Sequence, residues 1–166
     1  MPELKETAAM LPLRSGVEAG DLAAVVDAFA PDAVVHSPIT DTLTFTGHEQ
    51  IGAVFRVILD VFKDLHYTDE VRSGDSAVLV ASAHVDGTDI ELADHMRLDE
   101  NGKISELTVF FRPLPAIAVS ARAIGAGLGM RRSRSRARVV SALIGPLIGL
   151  TRVGDRVGTK LLGPTL

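Results

Sequence analysis

The chain of 166 residues contains no cysteine. That excludes a disulfide framework and thiolate chemistry, and nothing else places the protein in an oxidising compartment. The first residues, Met1 to Glu6, are polar and acidic and lack the basic region and apolar run of a signal peptide, so a cytoplasmic protein is expected. Neither apolar run of the C-terminal region, 116–130 or 139–150, reaches the roughly 20 residues that a membrane-spanning helix needs. No spacing of the His-Glu-x-x-His kind is present, so no metal site is expected. Gly125-Ala126-Gly127-Leu128-Gly129 neither follows a strand nor matches Gly-x-Gly-x-x-Gly, so neither a nucleotide site nor a cofactor is expected. Residues 115–166 also lack any aromatic side chain on which bases could stack, which argues against a nucleic-acid partner.

What is present suits one globular domain. Hydrophobic residues make up 46% and charged residues 23% of the chain, and a chain of this length buries roughly 70% of its unfolded surface. The net charge of −4 hides an asymmetry: residues 1–114 carry 8 Lys/Arg against 20 Asp/Glu, residues 115–166 carry 9 against 1. The division falls at Pro113-Leu114-Pro115. We therefore expect an acidic body, 1–114, and a basic, glycine-rich, helical extension, 115–166.

The most informative stretch is 88–113, which reads as two long strands around a tight turn. Ile90, Leu92, Asp94, Met96 and Leu98 share one face of the first strand, because side chains alternate across a strand. That face is apolar but for one carboxyl. After Asp99-Glu100-Asn101-Gly102, where Asn-Gly supplies the positive φ of a tight hairpin, Ile104, Leu107, Val109 and Phe111 follow until Pro113 ends the strand. Upstream, Pro12 opens a helix reaching about Ala19, and Asp21 caps a second over 22–29. Strands are expected at 33–37 and 43–46. Ile51, Val54, Phe55, Ile58, Leu59 and Phe62 form the apolar face of a helix that covers the sheet. Two more strands follow, near 65–72 and 77–85. Helices on one face of a curved sheet give an α+β cone with an apolar interior, where a ligand would sit.

Ala19-Gly20-Asp21, the run from Phe29 to Pro38, Phe45 to Ile51, and Asp94-His95 through Gly102-Lys103-Ile104 resemble, in that order, the nuclear transport factor 2-like superfamily. Within it the pattern is most similar to SnoaL-like proteins and ketosteroid isomerases, over residues 10–113. The resemblance implies an α+β fold in which a cone-shaped, curved antiparallel sheet packs against N-terminal helices, a cystatin-like barrel, here with a C-terminal helical basic tail. It also implies a homodimer formed through the sheet. In the isomerases a protonated Asp before the Gly-Lys turn donates a hydrogen bond to the developing enolate, and Asp94 matches it. Their catalytic base falls here on Ser37 and their oxyanion-hole Tyr on Leu13, so steroid isomerisation by that mechanism is not expected. The acid/base Asp of the cyclases falls near Arg112, and the Asp-Arg-Asp set of limonene epoxide hydrolases has no match.

The expected site is thus a pocket for a small apolar molecule, polyketide- or steroid-like. Asp94 would be its acid, with a pKa raised by burial, and His36 or His84 the base if either reaches the cavity. Ser37, Phe55, Leu59, Leu92, Met96, Leu107, Val109 and Phe111 would form the wall. If the protein is an enzyme, it is a cofactor-independent isomerase, cyclase or hydrolase. The alternatives are a purely structural Asp94 and a non-catalytic ligand-binding or interaction module. His36 and Ser37 alternate, and the family register turns Ser37 inward; His95 faces away from Asp94, His48 lies on the surface, and Arg112 pairs with a body carboxylate. The extension is expected to close the pocket mouth or a partner subunit, its arginines lying on the acidic body. The second reading is weak contact with an anionic membrane through Arg131, Arg132, Arg134, Arg136 and Arg138.

Overall fold

The computed structural model describes residues 10–131 and 133–162; Arg132 lies outside them. Two short helices, α1 (Pro12–Glu18) and α2 (Leu22–Asp27), lead into β1 (Phe29–His36) and β2 (Thr44–Thr46). The longer α3 (Gly47–Val61) precedes β3 (Lys63–Ser73), β4 (Ser76–Val85), β5 (Thr88–Leu98) and β6 (Ile104–Arg112). Two further helices, α4 (Leu114–Met130) and α5 (Arg134–Leu162), complete the chain. The strands form one sheet in the order β2-β1-β6-β5-β4-β3.

Local chemistry explains most of these boundaries. Pro12 stands in the first turn of α1, where its missing N–H costs nothing. The Asp21 carboxylate accepts from the N–H groups of Ala23 (2.9 Å) and Ala24 (3.1 Å), satisfying two donors that α2 leaves without a partner. In the β5–β6 turn Asp99 Oδ1 accepts from Asn101 N–H (2.9 Å) and Lys103 N–H (2.8 Å). Gly102 alone supplies the positive φ there, at 74°, correcting the share assigned to Asn101. Asp86 and Gly87 take positive φ between β4 and β5.

The sheet departs from the expected all-antiparallel arrangement at one pairing. β3 to β6 run antiparallel in succession, but β1 lies parallel to β6, with Val35 opposite Leu107. The cause is connectivity: the chain passes from the β1–β2 hairpin through α3 to β3 at the opposite edge, and β6 comes back beside β1 with no short turn between them to impose an antiparallel pairing. β1 also begins earlier than its apolar run, at Phe29, because the Ile104 N–H donates to the Ala28 carbonyl and extends the ladder.

The inward faces of β4 (Ala77, Leu79, Ala81, Ala83, Val85) and β5 (Ile90, Leu92, Asp94, Met96, Leu98) are buried in strict alternation. They pack against Leu13, Val25, Ile51 and Phe55 from the first three helices, each such side chain contributing about 1.5–3 kcal/mol by leaving water. The basic extension shares this core: Ala116, Ala118, Val119 and Ile124 of α4 and Ile148 of α5 belong to the same cluster. The glycine run is explained by helix packing. A Cβ on Gly127 would stand 2.5 Å from Val57 Cγ1 of α3, and one on Gly129 would stand 3.0 Å from the Ala137 backbone of α5. Gly127→Val is therefore expected to lower stability by about 1–3 kcal/mol, read from a denaturant titration; an unchanged midpoint would show that α3 and α4 do not meet this closely.

Candidate active site

The upper part of the cone is open. A cavity of about 240 Å³ lies between α3, the inner sheet face and the α4–α5 pair. Helix α3 supplies Val54, Phe55 and Ile58, and Phe62 follows at its C-terminal end; the sheet supplies Leu92, Val109 and Phe111, and the extension supplies Ile124, Leu128, Val140 and Ile144. The wall is almost entirely hydrocarbon. Phe62 and Phe111 meet at 5.9 Å between ring centroids in a tilted arrangement that fixes both rings.

One polar pair interrupts this wall. Asp94, 5% exposed, receives a hydrogen bond from the Tyr67 hydroxyl to Oδ2 at 3.2 Å, and Tyr67 is equally buried. Burial pushes the Asp94 carboxyl from 3.8 up to about 7, against the smaller lowering effect of the Tyr67 donor. Tyr67 is held well above its ordinary 10.0, first by burial and then by the adjacent Asp94 charge. Near neutral pH the carboxyl is poised between an acid that donates one hydrogen bond and a carboxylate that accepts them. Tyr67 engages Oδ2, and no other side-chain hydrogen bond to the Asp94 carboxyl forms among the described residues.

Tyr67 is positioned by an irregularity and a clamp. The β3–β4 register shifts between Tyr67, opposite Ala81, and Asp69, opposite Val80. Around this bulge the Tyr67 N–H donates to Glu18 Oε1 (3.0 Å), and Arg14 Nη2 donates to the Tyr67 carbonyl (3.2 Å). Arg14 and Glu18 pair with each other across one turn of α1 at 3.3 Å. Helix α1 therefore sets the polar end of the cavity through backbone contacts to β3.

The structure brings only some of the sequence-predicted residues to the cavity. Asp94, Phe55, Leu92, Val109 and Phe111 border it, as do Ser37 and His36 near its mouth. Ser37 Oγ is occupied locally, accepting from the Ile39 N–H at 3.2 Å. His36 Nε2 lies 3.0 Å from Glu106 Oε1, in a pair exposed by 39% and 50%. His84 does not reach the cavity: it points to the outer sheet face, where Nδ1 meets Asp89 Oδ1 at 2.5 Å. Alternation explains this, since the inward set of β4 is odd-numbered. Met96 and Leu107 face inward but do not border the cavity. They are paired rungs of β5 and β6, one step below Asp94 and Val109, where the helices already fill the cone. Leu59 also misses the cavity and is only partly buried against the core; at about 100° per residue it turns to the flank of the arc through Phe55, Ile58 and Phe62.

Three further placements complete the comparison. His95 Nε2 lies 3.1 Å from Ser76 Oγ, away from Asp94; Arg112 pairs with Glu91 at 2.9 Å; and exposed His48 bonds the Phe29 carbonyl at 2.9 Å. Among the described residues no three His, Asp or Glu side chains converge as a metal site would require. Tyr67 is the polar cavity residue that sequence reasoning missed. Its signals were slight: it is the sole tyrosine, two residues after Leu65 on the same strand face.

The sequence profile of the SnoaL-like domain matches residues 13–107, more than half of the chain. A comparison with curated proteins gives no significant match. Among solved structures, a steroid delta-isomerase from Pseudomonas aeruginosa is similar at 28% identity and a TM-score of 0.61, over 72% of this chain and 85% of that one. An uncharacterised bacterial protein with a cystatin-like fold from Silicibacter pomeroyi superposes with a TM-score of 0.65 at 23% identity, over 75% of this chain and 86% of the other. A protein with a ketosteroid isomerase-like fold from Catenulispora acidiphila, in complex with trimethylamine, matches at 20% identity and a TM-score of 0.52, over 64% and 86% of the two chains. The last two likenesses concern the fold alone. From the profile match across strands, helices and the Asp94 hairpin, the chain belongs to the SnoaL-like domain family, with the α+β fold of the nuclear transport factor 2-like superfamily.

Proposed function

We propose that this SnoaL-like domain binds a small, mostly apolar molecule bearing a carbonyl or enol, with the neutral Asp94 carboxyl donating a hydrogen bond to the ligand oxygen. The observation that carries this reading is the Asp94–Tyr67 pair, the buried polar feature of an otherwise hydrocarbon cavity. A cavity near 150 Å³ is enough to hold benzene, so about 240 Å³ suits one or two rings. A larger polyketide- or steroid-like molecule would enter by one end and leave the rest at the mouth. Acid chemistry at Asp94, of the isomerase, cyclase or hydrolase type, is the catalytic form of the same reading, with His36 as the candidate base.

The base is where the reading divides. Ser37 stands where the family's isomerases carry a carboxylate, and the His36 imidazole is engaged by Glu106. This favours binding without turnover as the second reading. A homodimer through the sheet also belongs to the proposal, supported by Phe110, 57% exposed on the outer face of β6.

Native mass spectrometry of the purified protein with its co-purifying small molecules is the first test, followed by titration with a matched pair, α-tetralone and tetralin. Asp94→Leu is expected to weaken the ketone roughly tenfold, the worth of one hydrogen bond, while leaving the hydrocarbon unchanged. Ketone affinity of the native protein should also fall above about pH 7, as Asp94 loses the proton it donates. Equal losses for both probes would make Asp94 a structural residue only.

A further inference from the structure

Helix α5 has two faces with different tasks. Ala137, Ile148 and Thr151 are buried, and Val140 and Ile144 wall the cavity, so one side of the helix is committed to the body. A second side, centred about 120° round the helix from the first, carries Val139, Leu143, Leu147, Leu150, Val153, Val157 and Leu161, each 47–76% exposed. At 100° per residue these seven fall within an arc of about 120°. Large apolar side chains exposed in one contiguous row, rather than scattered singly, mark an interaction surface.

Charge decides what covers it. Arg134, Arg138, Arg152, Arg156 and Lys160 occupy one arc of about 80° along a single edge of that stripe, and exposed Arg136 stands within the stripe near the N-terminal end of α5. Arg152 reaches back to Thr88 Oγ1 at 3.0 Å, whereas Arg134, Arg138 and Arg156 form no ion pair among the described residues. Asp155, the lone acid of α5, projects on the other side, toward the body face. A second copy packed stripe to stripe would set arginine edges against each other with no acidic flank to match them, contrary to the charge pairing that stabilises paired helices. An apolar stripe edged by cations instead complements an anionic lipid surface, where the aliphatic row enters the headgroup boundary and the guanidinium groups meet phosphates. The acidic body would orient the molecule with α5 toward the lipid.

We infer that the protein docks peripherally on anionic membranes through the outer face of α5. Residues Arg134–Gly158 are long and apolar enough to cross a bilayer by length and composition, but a spanning helix could not keep Val140, Ile144 and Ile148 packed on the body. The helix therefore lies in the interface. Because its inner face also walls the cavity, docking brings one wall of the cavity to the bilayer. Delivery of an apolar ligand from the lipid phase rests on the pocket reading above; docking itself does not.

The test is co-sedimentation of the full chain with phosphatidylcholine vesicles, with and without about a third phosphatidylglycerol, at low and high salt. Binding to the anionic vesicles is expected, falling with salt. It should weaken about fivefold for Arg138→Ser and again for Arg156→Ser, the value of one cation near the surface, and be lost in Leu143→Glu/Leu150→Glu. That double variant replaces exposed side chains, so its thermal midpoint and its α-tetralone affinity should match the native protein, which separates docking from the pocket. No binding to anionic vesicles, or binding indifferent to the double variant, would overturn the inference. So would a dimer in light scattering that the double variant dissolves, since α5 would then cover itself.

Discussion

Raising the pH from about 5 to about 8.5 is expected to destabilise the native protein relative to Asp94→Asn by roughly 3 kcal/mol. The sign follows from the direction of the shift. Asp94 has a folded-state pKa of about 7 against an ordinary 3.8, so between those values the folded protein holds a proton that the unfolded chain has released. Stability therefore falls as pH rises through this window and levels off above about 7, once both states are ionised. The neutral asparagine does not titrate, so subtracting its curve removes the contributions of the other carboxylates. For a chain of this size the difference corresponds to roughly 10 °C in thermal midpoint at the alkaline end. At acid pH the order should narrow or reverse, because the asparagine amide loses its water in an apolar wall and gains no certain partner. Parallel stability curves for the two proteins would mean that Asp94 is solvated in solution, and the case for a neutral donor would fail with it.

The second large effect separates core from cavity. Leu107→Ala should cost about 2–5 kcal/mol, a sizeable part of the 5–15 kcal/mol that holds a typical domain folded. Leu107 is fully buried and is paired with Met96 at the closed end of the cone, so truncation leaves a void with nothing to fill it. Ligand affinity in the folded variant should nonetheless stay within about twofold, because the void opens one rung below the cavity floor. Val109→Ala, one rung higher and in the cavity wall, should reverse the pattern, losing less stability but changing affinity for α-tetralone. Denaturant unfolding and probe titration on the two variants would decide it. Equal affinity losses would extend the cavity down to Leu107 and Met96.

Much of this architecture is legible in local patterns, because strands and helices repeat with periods that a few residues suffice to define. The alternation through Ile90, Leu92, Asp94, Met96 and Leu98 places the carboxyl on the covered face of β5, and Gly102 marks the turn beyond it. The spacing of Ile51, Val54, Phe55 and Ile58 marks the helix that covers that face. Asp21 caps α2 through contacts two and three residues away, within reach of a purely local reading.

The sequence by itself therefore determined which side chains face inward and where the chain turns. It did not determine how far down the cone each inward residue lies. Met96 and Asp94 are equivalent by alternation, yet one is packed core and the other borders the cavity, because depth depends on where the helices stop filling the interior. The partner of Asp94 was likewise a tertiary matter. The family register puts Leu13 where the isomerases carry their Tyr and so names no partner, whereas the structure presents Tyr67 from β3, across a register shift that α1 stabilises through Arg14 and Glu18. Only the folded chain could split α5 into a face that closes the cavity and a face left to solvent. Both faces are apolar at helical spacing, and the position of α4 and the sheet decides which of them is covered.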